Sequence, residues 1–502
     1  MSLKKNVIAN FLGQGWAALM SLAFVPLYVQ YLGVESYGLI GLFAILQAWL
    51  SLLDMGMTPT LNREMARYTS GAHNPQSICN LLRSLEVVCF TVAALIAIGI
   101  WIASDWLATD WLKVNKLPTT VVAQAIAVMA FVVALRFVES IYRGSLLGLQ
   151  KQVWYNVANA VFATVRHGGA VLILLFILPT IHAFFIWQAV ISVLTIVVFA
   201  LKVHGVLPKP PITAKFSRVA IQDIWKFAGG IIATTILALL LTQVDKILLS
   251  RLISLEAFGY YTLAATVASV ISIISGPIAQ AVYPRMVEFF TADNLDGLKS
   301  VYHQSAQLLT VLSATPAMLL VFFSKGAVFM WSGNLSLAQN TAPLVSALVL
   351  GGFLNGLMII PYMLQLAHGW TSFAVKVNVV AVLVLIPAIF WVVPHYGALG
   401  AAWVWVTLNL GYILIGMYFM YQKLMPQEKW RWYFEDIILP ILGVLIIVFL
   451  AHLFRSNNYS NRFEWLIFLS LVGLLSLLVS CCFASKLNHY ILIIFNRFKR
   501  NN

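Results

Sequence analysis

The chain reads as long apolar runs, most near twenty residues or more, separated by short polar stretches. Runs of that length match the roughly 20 residues a helix needs to cross a hydrocarbon core about 30 Å thick. They lack the ten-residue alternation of a membrane barrel, so spanning helices are the predicted element. Fourteen spans are expected: 6–32, 37–58, 80–104, 119–147, 153–178, 183–203, 226–250, 258–284, 302–324, 338–366, 370–393, 397–421, 437–454 and 463–484. The predicted class is an all-α polytopic membrane protein. Its outward loops are too short to form a soluble domain.

The longest polar interruption divides the chain. It contains LPKPPITAKFSR, whose prolines oppose helix and favour an extended linker, followed by RVAIQDIWKF, which reads as an interfacial amphipathic helix. The expected organisation is an N-terminal lobe (1–204), the linker with its interfacial helix (205–225), a C-terminal lobe (226–421), a last helix pair (437–484) and a basic tail (485–502). The two lobes carry a weak repeat. LGVESYGLIGLFAIL aligns with LISLEAFGYYTLAAT at a shift of 221, so that Glu35 matches Glu256 and Gly38 matches Gly259. At a shift of 219, Asn159 matches Asn378. A parallel repeat of this kind predicts two six-helix lobes about a central cavity.

Composition agrees: 61% of residues are apolar, 10% charged, and mean hydropathy is +0.90. The net charge of +14 would suit nucleic acid in a soluble chain; here the positive-inside bias explains it. With the amino terminus in the cytoplasm, nineteen Lys/Arg fall on the inward side and seven on the outward side, so both termini are expected in the cytoplasm. Lys4 and Lys5 precede an apolar stretch too long for a signal-peptide core, which reads as an uncleaved first span. The four cysteines lack metal-ligand spacing. No phosphate-binding loop or zinc motif appears, so a transporter rather than an enzyme is expected, without nucleic acid as partner.

Charge inside the spans is the sharpest signal. Arg136, Glu139 and Arg143 share one face of the span 119–147 by i, i+3, i+7 spacing. Arg166 falls near the middle of a helix roughly 39 Å long at about 1.5 Å per residue. An arginine at that depth costs about 2.5–3.5 kcal/mol on insertion scales, so it needs water or a partner. Arg166, Arg136, Arg143 and Lys376 are the candidate cavity residues for an anionic cargo. The competing reading pairs Arg166 with Glu139 or Glu86, neutralises Arg136 through Glu139, and lets Arg143 and Lys376 reach an interface. Arg83 and Glu86 are expected to pair locally. Asp54, Arg63, Asp245 and Lys246 are candidates for gating or ion coupling. No cofactor is expected; an H+ or Na+ gradient is the candidate source of drive.

Several stretches resemble the Wzx-type polysaccharide flippases of the MOP superfamily, which also holds lipid II flippases and MATE exporters. They are NFLGQGWAALMSLAFVPLYVQYLGVESYGLIGLF, LLDMGMTPTLNREMAR, YRGSLLGLQKQVWYNV, LTQVDKILLSRLISLEAFGYYTLA and HYGALGAAWVW, spread over most of the chain. The resemblance implies translocation of an undecaprenyl-pyrophosphate-linked oligosaccharide from the cytoplasmic to the periplasmic leaflet of a bacterial inner membrane by alternating access. It implies membrane lipids and other polysaccharide-assembly membrane proteins as partners. The first span offers Asn10 and Gln14 where lipid II flippases carry basic residues, which argues against a lipid II cargo. The last two helices, outside the repeat, are expected to border the lipid tail. The rival readings are a MATE-like cation or drug antiporter and a membrane-embedded polymerase or glycosyltransferase.

Overall fold

The computed structural model describes residues 3–53, 57–69, 71, 73–208, 212–217, 236–237, 239–454 and 461–486. The first half holds α1 (Leu3–Ala23), α2 (Val25–Leu53), α3 (Met57–Thr69), α4 (Pro75–Trp106), α5 (Thr119–Gly148), α6 (Gln152–Phe176), α7 (Ile181–Val206) and α8 (239–252). The second half holds α9 (Leu255–Ala268), α10 (Val270–Thr291), α11 (Leu295–Phe322), α12 (Ser324–Ser332), α13 (Leu335–Leu357), α14 (Ile359–Ala367) and α15 (Thr371–Gly411). It closes with α16 (Met417–Leu424), the single turn α17 (Lys429–Arg431), α18 (Leu439–Phe454) and α19 (Arg462–Phe483). Among the described residues, eleven helical stretches are long and apolar enough to cross a membrane. The class expected from sequence, an all-α membrane protein, is the class observed.

Two glycines place chain reversals inside otherwise continuous helix. Gly33 (φ 79°) breaks α2 between the first two expected spans, and Gly397 (φ 59°) breaks α15 between the spans expected at 370–393 and 397–421. Positive φ costs glycine little because it lacks Cβ. The second expected span is described as α2 up to Leu53, and TPTLNREMAR lies in a polar helix of its own, α3. The first part of the span expected at 226–250 (226–235 and 238), all of RVAIQDIWKF and the tail beyond 486 lie outside the described residues. The linker segment 212–217 carries no helix. It is pinned along one face of α4: Ile212 N–H donates to Gln76 (3.1 Å), Lys215 N–H to Asn80 (2.9 Å) and Ser217 N–H to Ser84 (2.8 Å).

The chain forms two compact units, Met1–Gly259 and Tyr260–Asn502. In the first, α5 is the central helix, burying Val122, Ile126, Met129, Val133, Phe137 and Ile141 against α4 and α7. In the second, α11 is central, packed by α10, α13 and α18, while α18 and α19 close on each other where Gly443 meets Ser480.

Residues matched by the shift of 221 meet in a reciprocal contact at the end of the first unit. A Cβ on Gly38 would lie 2.5 Å from Leu255 O, and one on Gly259 would lie 2.2 Å from Val34 O. Val34 and Leu255 are themselves matched by the shift of 221, so each glycine abuts the counterpart of its own neighbour. The matched glutamates converge on one loop. Glu35 accepts the backbone N–H groups of Asn115 (2.6 Å), Lys116 (2.9 Å) and Leu117 (3.1 Å), and Glu256 pairs with Lys116 Nζ (2.7 Å).

Backbone oxygen cannot retreat as a side chain can, so Gly38→Ala and Gly259→Ala are each expected to destabilise by about 1–3 kcal/mol through overpacking. Gly15→Ala, where an added Cβ meets nothing within 4 Å, is the matched control and should not destabilise. Thermal unfolding of the three variants in detergent reads the difference.

Candidate functional site

The charged face of α5 meets α6 and α7 inside the first unit. Arg166, only 8% exposed, places Nη2 3.6 Å from Glu139 Oε2 and 3.4 Å from Thr195 Oγ1 on α7. The first is an ion-pair distance, too long for a hydrogen bond. Arg166 Nε and Glu139 Oε2 accordingly have no hydrogen-bond partner among the described residues. Trp187 Nε1 donates to the backbone oxygens of Val165 and Arg166, both at 3.2 Å, and lies against Gly169, fixing α6 on α7. Beside it, the Tyr28 hydroxyl reaches His167 Nδ1 and donates to His167 O, both at 3.1 Å.

Arg136 makes no ion pair with Glu139 despite their i, i+3 spacing. Its Nη2 donates to Gln188 Oε1 (3.1 Å), and its guanidinium lies over the Phe43 ring, 5.5 Å from the centroid. With the Gln47 amide turned so that its oxygen faces the guanidinium, Oε1 accepts from Nε (2.9 Å) and Nη1 (3.2 Å). These partners are neutral, so they orient the cation without cancelling it. A hollow of about 260 Å³ opens here, lined by Gln47, Leu50, Arg136, Phe137, Glu139, Ser140 and Arg143. Two arginines and one carboxylate thus face it, and Arg166 backs that carboxylate from behind.

The structure therefore brings three of the four predicted cavity residues together and reorders them. Arg136 and Arg143 form the wall; Arg166, the leading candidate in the sequence, stands behind it in the pairing foreseen with Glu139. The reason is depth: a mid-helix cation with no route to either interface takes the carboxylate offered by the neighbouring helix. Glu86 is engaged elsewhere, with Arg83 (3.4 Å), the Tyr142 hydroxyl (3.0 Å) and His204 Nε2 (2.9 Å). Lys376 belongs to the second unit and lines a separate depression.

Of the gating candidates, Asp54 lies outside the described residues. Arg63 is exposed on α3 and donates Nε to Glu64 (2.9 Å), which also binds Arg67 and His73. Burial raises the Glu64 carboxyl, but His73, Arg63 and Arg67 outweigh it and hold the group below the usual carboxylate range. Asp245 and Lys246 are half-buried on α8, where Lys246 Nζ donates to Thr242 O (3.2 Å) and Gln243 Oε1 (3.3 Å) on its own helix.

A second buried polar cluster escaped the sequence reading. His303 of α11 is held between Asp436 at Nδ1 and Glu428 at Nε2 (3.1 Å). Gln307 donates to Asp436 (3.0 Å), and Lys299 pairs with Glu428 (2.9 Å). The cluster joins α11 to the widened π-turn Trp432–Ile438. Its signal was the acidic FED immediately before an apolar run, which the expected span boundary at 437 left in a loop.

The fold is shared with solved membrane transporters. A lipid II flippase, MurJ, solved in an inward closed conformation, superposes with a TM-score of 0.70 at 15% identity, covering 96% of this chain and 99% of that one. An inward-facing multidrug resistance MATE family transporter of the MOP superfamily gives 0.62 at 15% identity over 82% and 96%. The model of the polysaccharide biosynthesis protein family matches residues 3–290, more than half the chain, and the chain belongs to that family. A Shigella flexneri protein provisionally named an O-antigen transporter is 22% identical over 416 residues, 81% of this chain and 94% of that one. The resemblance read from the sequence motifs is thereby confirmed.

Removing one partner of the buried pair exposes the other to the full cost of an uncompensated charge. Glu139→Ala is expected to destabilise by about 3–5 kcal/mol, while the double variant Glu139→Ala with Arg166→Met recovers most of that loss. A double-mutant cycle on thermal unfolding measures the coupling.

Proposed function

We propose that the chain is a flippase for a lipid-linked oligosaccharide, the repeat unit of an O-antigen or similar surface polysaccharide. It carries this cargo from the cytoplasmic to the periplasmic leaflet of a bacterial inner membrane by alternating access. The observation that carries the reading is the α5 hollow: two arginines against one already-paired carboxylate, inside a membrane protein of the polysaccharide biosynthesis family. Arginine at that site suits phosphate or carboxylate oxygens through charge-assisted hydrogen bonds. At about 260 Å³ the hollow is smaller than the roughly 300–1,000 Å³ that encloses a drug-sized ligand. It therefore fits an anionic headgroup, with the saccharide beyond it.

A MATE-like exporter of cations calls for carboxylates facing the cargo, and the one present here is taken by Arg166. The partners are the lipid-linked oligosaccharide and membrane lipids, with other polysaccharide-assembly membrane proteins downstream. Drive comes from an H+ or Na+ gradient in this reading. Asp245 is a titratable candidate for it, and the buried His303–Asp436 pair is another.

The test is delivery of surface polysaccharide in cells lacking their own flippase, with insertion of each variant verified. Arg136→Ala and Arg143→Ala should each reduce delivery about tenfold or more, and Arg136→Lys should restore part of it. Normal delivery by the Arg136→Ala, Arg143→Ala double variant would sink the reading, as would efflux of cationic dyes conferred by the wild-type protein.

A further inference from the structure

The second unit contains a larger depression of different chemistry. A groove of about 1000 Å³ runs between the two arms of α15 and its continuation into the π-turn Tyr412–Gly416, lined from Phe373 to Phe419. Its walls are aliphatic and aromatic and stand open: Val384 is 56% exposed, Trp403 51% and Ile415 64%. Gly397 splays the arms, and Gly411 and Gly416 hollow the floor, since an added Cβ on either meets nothing within 4 Å.

One charge stands in the lining, the exposed Lys376 amine, with no ion pair or hydrogen bond among the described residues. It lies at the end where the chain enters α15. There Phe373 stacks on Trp370, and Lys423 Nζ sits 4.1 Å from the Trp370 ring centroid. A long apolar trough with cationic groups at one end has the polarity of a lipid with an anionic head.

Length selects among such lipids. From Lys376 to Val392 the groove follows α15 for about 24 Å at about 1.5 Å per residue. A hydrocarbon core of about 30 Å gives each leaflet about 15 Å, so a phospholipid acyl chain reaches only part of the way. A polyisoprenoid chain longer than one leaflet fills the trough. We propose that this groove seats the polyisoprenoid chain of a polyprenyl-phosphate lipid, with its phosphate on the Lys376 amine. The proposal rests on the reading of the cargo as lipid-linked and adds a docking site for it, occupied when its headgroup is not in the α5 hollow; the tail's place moves from the last two helices to α15.

Native mass spectrometry of the full chain in detergent, offered undecaprenyl phosphate or phosphatidylglycerol, tests this without transport. Wild type should retain undecaprenyl phosphate in preference to phosphatidylglycerol. Lys376→Glu should lower that retention about tenfold by placing like charges together. Gly411→Leu fills the floor while raising helix propensity, so its loss of the lipid is not a loss of fold. Equal retention of the two lipids by wild type, or undiminished retention of undecaprenyl phosphate by both variants, overturns the proposal. If binding behaves as expected while surface-polysaccharide delivery fails its own test, the flippase reading falls and the polyprenyl site stands. If delivery passes and the variants bind as wild type, the groove assignment alone falls.

Discussion

A positive charge in the middle of a membrane helix has to be answered by another group, and Glu139 answers Arg166. That pairing ties α6 to α5, and Thr195 extends it to α7. It also decides what the rest of the charged face can do. Because Glu139 is drawn toward Arg166, Arg136 is left with Gln188, Gln47 and the Phe43 ring, all uncharged. Neutral acceptors fix the guanidinium's direction and leave its field intact. The hollow therefore keeps a cationic surplus that a simple reading of the i, i+3, i+7 face would have cancelled internally.

The parts of this arrangement legible in the sequence were those set by periodicity and by rarity. Apolar run length placed α5 and α6 within a residue or two of their observed ends, and the shared face of Arg136, Glu139 and Arg143 follows from helical geometry alone. The sequence also carried a thin match of glutamate and glycine at a shift of 221. Its meaning emerges in the reciprocal approach of Gly38 to Leu255 and of Gly259 to Val34. A glycine conserves nothing chemical by itself; here its missing Cβ admits a carbonyl oxygen, and the same admission is made twice by matched residues.

What the sequence concealed depends on partners distant along the chain. Arg166 and Glu139 are 27 positions apart, so no local rule could tell a cavity cation from a paired one. His303 and Asp436 lie further apart still, and Asp436 fell just outside an expected span because the π-turn from Trp432 starts its helix early. The expected span at 37–58 overran the first two residues of α3 for a similar reason: an apolar window averages across Leu53 and Met57. The α15 groove is a shape, made by a break at Gly397 and by absent side chains at Gly411 and Gly416, and absence carries no hydropathy signal.

The fold alone leaves the cargo undecided, since a lipid II flippase and a multidrug MATE transporter share it with this chain at 15% identity. Function on a shared scaffold resides in the side chains that face the substrate. In the proposed reading, charge separates the candidates. Toward a cation, the α5 hollow presents Arg136 and Arg143 with a carboxylate already drawn to Arg166, so repulsion dominates at close range. Toward a phosphate, the same two guanidinium groups supply planar donors, neither held in an ion pair among the described residues. The proposed reading toward an acidic headgroup therefore rests on the sign of that surplus rather than on the helix arrangement.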